Sequence, residues 1–319
     1  MSRVLVCGSI ALDVIGRFKG SFADYQANYP IKALNVSLQL AELRTSFGGC
    51  GMNIAYGLSS LGVNTIPLSA VGRDFLDHYS DHLTSLGLPM DYIAVDMSFD
   101  KCASAFVITD DDGNQFTAFH AGAAVSPQRV LPSRIAEIGE VSLAVLAPED
   151  APIMQRQARD LKALGIPMIF DPGQGLAGFN ADEARELLDL ADIAMVNRHE
   201  YDVLQSLTGM DHDAILARMQ QVVVTHGAEG VEIFTADEHV TVPACETDSF
   251  VDPTGCGDAF RAGYVFGLVE NLSLAVSARL GNLMAVRNLA CRETQTYQVS
   301  REVLLADYER QFGEPALPA

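Results

Sequence analysis

Two glycines flank one small residue in Gly255-Cys256-Gly257, and a carboxylate, Asp258, follows just before the apolar pair Ala259-Phe260. Glycine lets a backbone turn tightly and approach a ligand closely. The first turn of a helix leaves N–H groups without intrahelical partners, and its dipole favours negative charge. Such a loop is an anion hole. A carboxylate inside it is placed to stay ionised and to take a proton from a hydroxyl. The amides of Gly255, Cys256 and Gly257 would meanwhile hold a transferring phosphoryl group. The plainer alternative is that Asp258 only caps the helix. Cys256 is a poor nucleophile candidate, because no histidine is evidently paired with it.

These residues need a frame. Arg3 to Cys7 reads as a buried strand ending at Gly8-Ser9. Residues 14–47 are less regular and look like an excursion from the main fold. A helical pattern runs from Gly49 to Gly62, a strand from Asn64 to Val71, and an amphipathic helix from Arg73 to Leu86, closed by Gly87. Cys102–Thr109 and Gln115–His120 read as a hairpin about the turn Asp110-Asp111-Asp112-Gly113-Asn114.

From residue 141 the period changes. Short apolar strands at Leu143–Leu146, Pro167–Asp171, Asp192–Asn197 and Val222–Thr225 alternate with helices, among them 151–164 and 181–190. That pattern implies a parallel sheet with right-handed crossovers. Val231–Phe234 and His239–Val242 read as an edge hairpin, and helices at about 256–269, 273–290 and 300–311 complete the chain. The expectation is one α/β domain over 1–319, with a small discontinuous β lid from about 14–47 and 97–120. A rigid edge extension is the alternative to a mobile lid. Ligands of such sheets bind at the carboxyl ends of the strands. Asp13, Gly48-Gly49, Asp171, Asn197, Gly227 and the run 252–258 fall there.

The 319 residues carry a formal net charge of −20. Nucleic-acid binding needs clustered Lys and Arg, so that class of partner is not expected. Six scattered cysteines with no CxxC pair argue for a reducing compartment and against a zinc site. No stretch of about 18 apolar residues suggests a membrane span, and a cytoplasmic protein is expected.

The segment 252–258 resembles the DTGAGD-type signature of the ribokinase-like, or PfkB, family of carbohydrate and nucleoside kinases. Cys256 stands where Ala is usual, and Pro253 where Thr is common. Gly48-Gly49-Cys50-Gly51-Met52-Asn53 is similar to the family's GG-x-x-x-N motif. The resemblance implies a three-layer α/β/α fold with a mainly parallel central sheet, and Asp258 as catalytic base. It implies an acceptor held by Asp13, Gly48, Gly49 and Asn53, the carboxylate of Asp13 taking two hydrogen bonds from a vicinal diol. It places ATP near Asn197, Thr225, Gly227, Gly230 and Asn282. Mg²⁺ would be organised by Asn197 and Glu200, largely through water. K⁺ beside the anion hole and a homodimer through the lids are further properties of some relatives. Where relatives often have Lys or Arg after the threonine of the nucleotide loop, this chain has His226, which makes nucleotide binding weaker or pH-dependent. After the second strand the G-x-D-x-x-G pattern is degraded, since position 77 is Asp.

Phe119-His120-Ala121-Gly122, Phe170-Asp171-Pro172-Gly173 and Thr294-Gln295-Thr296-Tyr297 resemble segments of the bacterial and archaeal nucleoside kinase branch. Sugar-kinase relatives more often carry an Arg shortly after the aspartate of the second segment, and none lies between Asp171 and Phe179. The expected acceptor is therefore the 5′-hydroxyl of a nucleoside, adenosine first, with Gln115, Phe119 and Gln174 as contacts to base or ribose. A ribokinase- or fructokinase-like sugar kinase and a non-catalytic nucleotide sensor are the alternatives.

Overall fold

The computed structural model describes residues 3–28 and 37–317. Its first half comprises β1 (Arg3–Cys7), β2 (Ala11–Phe18), α1 (Phe22–Asn28), β3 (Leu40–Gly48), α2 (Cys50–Ser60), β4 (Asn64–Val71), α3 (Tyr79–Ser85), β5 (Ile93–Val95), β6 (Ser104–Thr109) and β7 (Gln115–His120). The second half runs β8 (Val141–Leu146), α4 (Ala151–Leu164), β9 (Met168–Phe170), α5 (Ala181–Leu190), β10 (Ile193–Asn197), α6 (Arg198–Thr208), α7 (His212–Leu216) and β11 (Gln221–Thr225). It ends with β12 (Val231–Phe234), β13 (His239–Val242), α8 (Cys256–Val269), α9 (Leu274–Leu289) and α10 (Arg301–Phe312).

The large sheet has the order β13-β12-β11-β10-β9-β8-β1-β4-β5. It is parallel from β11 to β5, with β12 and β13 added antiparallel at one edge. Its strands are apolar on both faces because helices cover both. Along β1, Val4 and Val6 enter a core shared with Ile54 and Leu58 of α2 and Ala262 and Phe266 of α8. Leu5 and Cys7 enter a second core with Met154 and Leu161 of α4 and Leu187 of α5. The alternation of one strand between two cores is what makes three layers.

The second sheet, β3-β2-β6-β7, is the excursion foreseen at 14–47 joined to the hairpin. Positions 29–36 of that excursion lie outside the described residues. Cross-strand partners share a face. By register, Arg44, Ser46, Asp13, Ile15, Val107 and Phe119 lie on one face, and Leu43, Phe106 and Phe116 on the other.

One expectation differs. Arg73–Leu86 is not a single helix: a 3-10 turn at Arg73–Leu76 precedes α3. Arg73 N bonds Phe99 O, Asp74 N bonds Asp100 O, and Asp74 Oδ1 accepts from Cys102 N at 2.7 Å. These contacts to residues 99–102 outweigh the helical period and give Asp74 a structural role. The three-residue strand β5 and the short helix α7 were also not foreseen. Among the described residues no helix is long and apolar enough to cross a membrane.

Candidate active site

The loop before α8 turns on Gly255, whose φ of 77° is left-handed, and no side chain caps the helix. Cys256 N is taken by Pro253 O at 3.2 Å, which corrects the expected role of that amide toward an anion. An incoming anion would meet the other unpaired N–H groups of the first turn. The loop is rigidly held. Thr254 N bonds Asp252 Oδ1 at 2.9 Å, and Asn288 Nδ2 of α9 donates to Thr254 O at 2.7 Å. From β3 of the small sheet, Arg44 Nη2 donates to Asp252 Oδ2 at 2.8 Å. Burial and nearby carboxylates push the Cys256 thiol up, partly offset by Asn288, so it is no ready thiolate.

Asp258, on the first turn of α8, accepts a 2.8 Å hydrogen bond from Asn53 Nδ2 of α2. The two sequence motifs therefore meet. Asp258 keeps some solvent exposure at its rim, yet protein packs closely enough around its carboxyl that burial raises its pKa. Arg261 and the Asn53 bond oppose that rise, and Glu200 adds to it. Arg261 and Asn53 thus favour its charged form against the effect of burial.

Arg261 is the residue that the sequence reading missed. One turn beyond Asp258, it is buried and pairs with the wholly buried Asp171 at the end of β9, Nη2 to Oδ1 being 2.6 Å. Burial pushes Asp171 up and the guanidinium pulls it back. Burial likewise works against the charge of Arg261, but Asp171, Asp258 and Glu200 outweigh it. The one visible signal of Arg261 was a lone Arg in an otherwise apolar helical run.

Gly48 and Gly49 sit where backbones nearly touch. A Cβ on Gly49, at φ 95°, would lie 2.5 Å from Ser9 O, and one on Gly48 would overlap the Asp13 carboxylate. Asp13 lies on β2, and its Oδ1 accepts from Ala105 N at 3.2 Å. Burial raises its pKa to about 6, against the Ala105 bond and with Asp258 adding to the rise. Phe119 is exposed on the same face of the small sheet. Gln115 is on that face too, four residues nearer the hairpin turn, and bonds Thr109 Oγ1 at 3.3 Å. Gln174 is exposed on the 3-10 turn Gly173–Gly178.

At the other side, Asn197 and Glu200 form a reciprocal capping box on α6, each bond 2.8 Å. Glu200 still reaches Asp258, Asp171 and Arg261 electrostatically. Among the described residues no group of three His, Cys, Asp or Glu side chains is assembled to hold a metal. A metal here would take most of its ligands from phosphate and water. Thr225 ends β11 and leads into a tight turn in which His226 N bonds Gly230 O at 2.8 Å and Gly227 opens a 3-10 turn. His226 Nε2 lies 2.9 Å from Glu232 Oε2. Asn282 is buried on α9, and its Nδ2 donates to Pro243 O at 2.8 Å.

The loop opened by Gly255, the carboxylate beside it and the three-layer fold resemble those of the ribokinase-like kinases. Residues 1–300 match the pfkB family of carbohydrate kinases, and the chain belongs to that family. A nucleoside kinase from Methanocaldococcus jannaschii is 29% identical over 264 residues, 82% of this chain and 85% of its own. An ATP-dependent ribose-1-phosphate kinase from Halopiger xanaduensis is 29% identical over 273 residues, 83% and 84% of the two chains. The structure of the Burkholderia thailandensis nucleoside kinase in complex with inosine superposes with a TM-score of 0.89 at 34% identity, covering 99% of this chain and 100% of that one.

Proposed function

We propose that this kinase transfers the γ-phosphoryl group of ATP to the 5′-hydroxyl of a purine nucleoside, adenosine or inosine. The observation that carries the reading is the Asn53–Asp258 hydrogen bond, which joins the acceptor motif to the anion hole. The similar nucleoside kinases, one of them holding inosine, support the choice of acceptor.

Asp13 and Asn53 hold the ribose hydroxyls against the Gly48-Gly49 backbone, and Phe119 contacts the base from the small sheet, with Gln115 and Gln174 at its margins. Asp258 takes the proton of the 5′-hydroxyl. The 5′-oxygen bonds to the γ-phosphorus, the bond to the bridging oxygen breaks, and ADP leaves with that electron pair. The amides of Gly255 and Gly257 stabilise the charge on the transferring group, and Cys256 N, bonded to Pro253 O, braces the loop between them. Thr225, Gly227, Gly230, Asn197 and Asn282 line the nucleotide side. Mg²⁺, when bound, offsets phosphate charge, with Glu200 and Asn197 as its outer partners. The small sheet closes as a lid and excludes water. Its far face exposes Leu43, Phe106 and Phe116, which supports pairing of two lids in a homodimer.

The test is ADP release with ATP and Mg²⁺, with and without K⁺, across adenosine, inosine, cytidine, ribose, ribose 1-phosphate and fructose. Turnover with purine nucleosides and not with free sugars is expected. The similar ribose-1-phosphate kinase gives the second reading, in which turnover appears with sugars or sugar phosphates alone. ATP binding without turnover on any acceptor would leave a sensor.

Asp13 gives a pH signature. It is neutral below about pH 6, and a neutral carboxyl is a poorer acceptor for a diol. The KM for nucleoside therefore rises as pH falls through that value, while the KM for ATP does not. A raised folded pKa also means that the stability tied to Asp13 is fully present below the unfolded pKa of about 3.9 and lost as pH rises through about 6. Asp13→Asn removes that loss: at pH 8 the variant melts above the parent protein while binding nucleoside more weakly. An unchanged nucleoside KM would remove Asp13 from the acceptor site.

A further inference from the structure

Asn53 is oriented from outside its own helix. Its Oδ1 lies 2.9 Å from Thr294 Oγ1 and 2.9 Å from Gln295 Nε2. The Thr294 hydroxyl also lies 2.9 Å from Phe47 O, and it has one proton for two acceptors. Gln295 is the donor that Asn53 can rely on. Gln295 Nε2 lies 2.9 Å from Tyr79 Oη as well, and Gln295 Oε1 lies 3.0 Å from His82 Nε2.

The direction of these bonds is fixed by their far end. Tyr79 Oη donates its single proton to Gly48 O at 2.7 Å, so it can only accept from Gln295. The nitrogen of the Gln295 amide must therefore face Tyr79 and Asn53, and its oxygen must face His82 as a donor. His82 is held flat on Phe47, ring centroids 4.0 Å apart. Asn53 receives an N–H at Oδ1 and is left with Nδ2 toward Asp258. The reversed amide would set its oxygen against a carboxylate.

We propose that Gln295 is a positioning residue for phosphoryl transfer: by donating to Asn53 Oδ1 it keeps the Asn53 N–H on the Asp258 carboxylate. Tyr79 and His82 set the polarity of Gln295, and Gly48, whose carbonyl anchors Tyr79, ties the same network to the acceptor loop. The proposal rests on the reading of Asp258 as base. A hydrogen bond donated to a carboxylate favours its charged form, so a network that loses it leaves the base protonated over a wider pH range.

The test uses Gln295→Leu and Gln295→Glu in the full chain, with thermal melts to establish folding. Gln295→Glu keeps the shape and the His82 contact but has no N–H for Asn53, so it serves if the leucine variant does not fold. Expected are a fall in kcat of about 10- to 100-fold, as a small misplacement of reacting groups gives, an unchanged KM for ATP, and an acid limb of kcat moved to higher pH. In a cycle with Asn53→Ala, the Gln295 substitution costs little further, because its effect runs through Asn53. Losses that multiply in the double variant, or an acid limb that stays in place, would overturn the proposal. Full turnover by Asp258→Asn would instead sink the base reading. A dead Asp258→Asn beside unaffected Gln295 variants overturns the Gln295 role alone.

Discussion

Asp258→Asn lowers kcat by on the order of 10²–10⁴, the usual worth of a positioned general base, and leaves ATP affinity unchanged. The amide has nearly the same shape, and its oxygen still accepts from Asn53, whose Nδ2 lies 2.8 Å away in the parent protein. What it loses is basicity. Burial already disfavours the charge of Asp258, so removing that charge does not weaken the fold, and the loss of rate cannot be assigned to unfolding. The amides of the loop are backbone groups and remain for the phosphates. The measurements are steady-state ADP release, calorimetric titration with ATP, and a thermal melt. Turnover near that of the parent protein would remove Asp258 from the chemistry.

Arg261→Leu carries the second large effect, this time on stability and rate together. Asp171 is wholly buried, and Arg261 is its ion-pair partner. Breaking a buried pair from one side costs about 3–5 kcal/mol, because a carboxylate is left without compensation. The double variant Arg261→Leu with Asp171→Leu should recover most of that loss. Activity should not follow it back. Arg261 is also the leading influence that opposes the raised pKa of Asp258, so the acid limb of kcat moves to higher pH in both variants. Denaturant unfolding and a pH–rate profile separate the two roles. A single variant as stable as the parent would mean that Asp171 had found another partner.

The parts of the fold that could be read in advance are those written locally. Parallel strands covered on both faces must be apolar runs, and the alternation of such runs with amphipathic helices after residue 141 is the sheet itself. Gly255 was legible because close backbone approach leaves glycine as the residue that fits, and Gly48-Gly49 through its resemblance to a family motif. What escaped is written across distance. Arg261 meets Asp171 across 90 positions, Arg44 meets Asp252 across 208, and His82 meets Gln295 across 213. No period or spacing encodes those encounters. The segment Arg73–Leu86 failed for the related reason that contacts from residues 99–102 override its helical pattern. Asp258 could be found from its loop, but its protonation balance could not, since Asn53 and Arg261 set it only once the chain is folded.

The ion pair of Arg44 with Asp252 has a consequence in time. One partner sits on the small sheet and the other on the loop before α8, so an opening of the proposed lid would have to break the pair. Both side chains keep some solvent, at 28% and 18% exposure, and a pair of this kind holds with about 1 kcal/mol or less. A fastening of that strength would bias the proposed lid toward closure only about fivefold. The proposed lid would then open within the microsecond-to-millisecond range of such motions, with no separate trigger required.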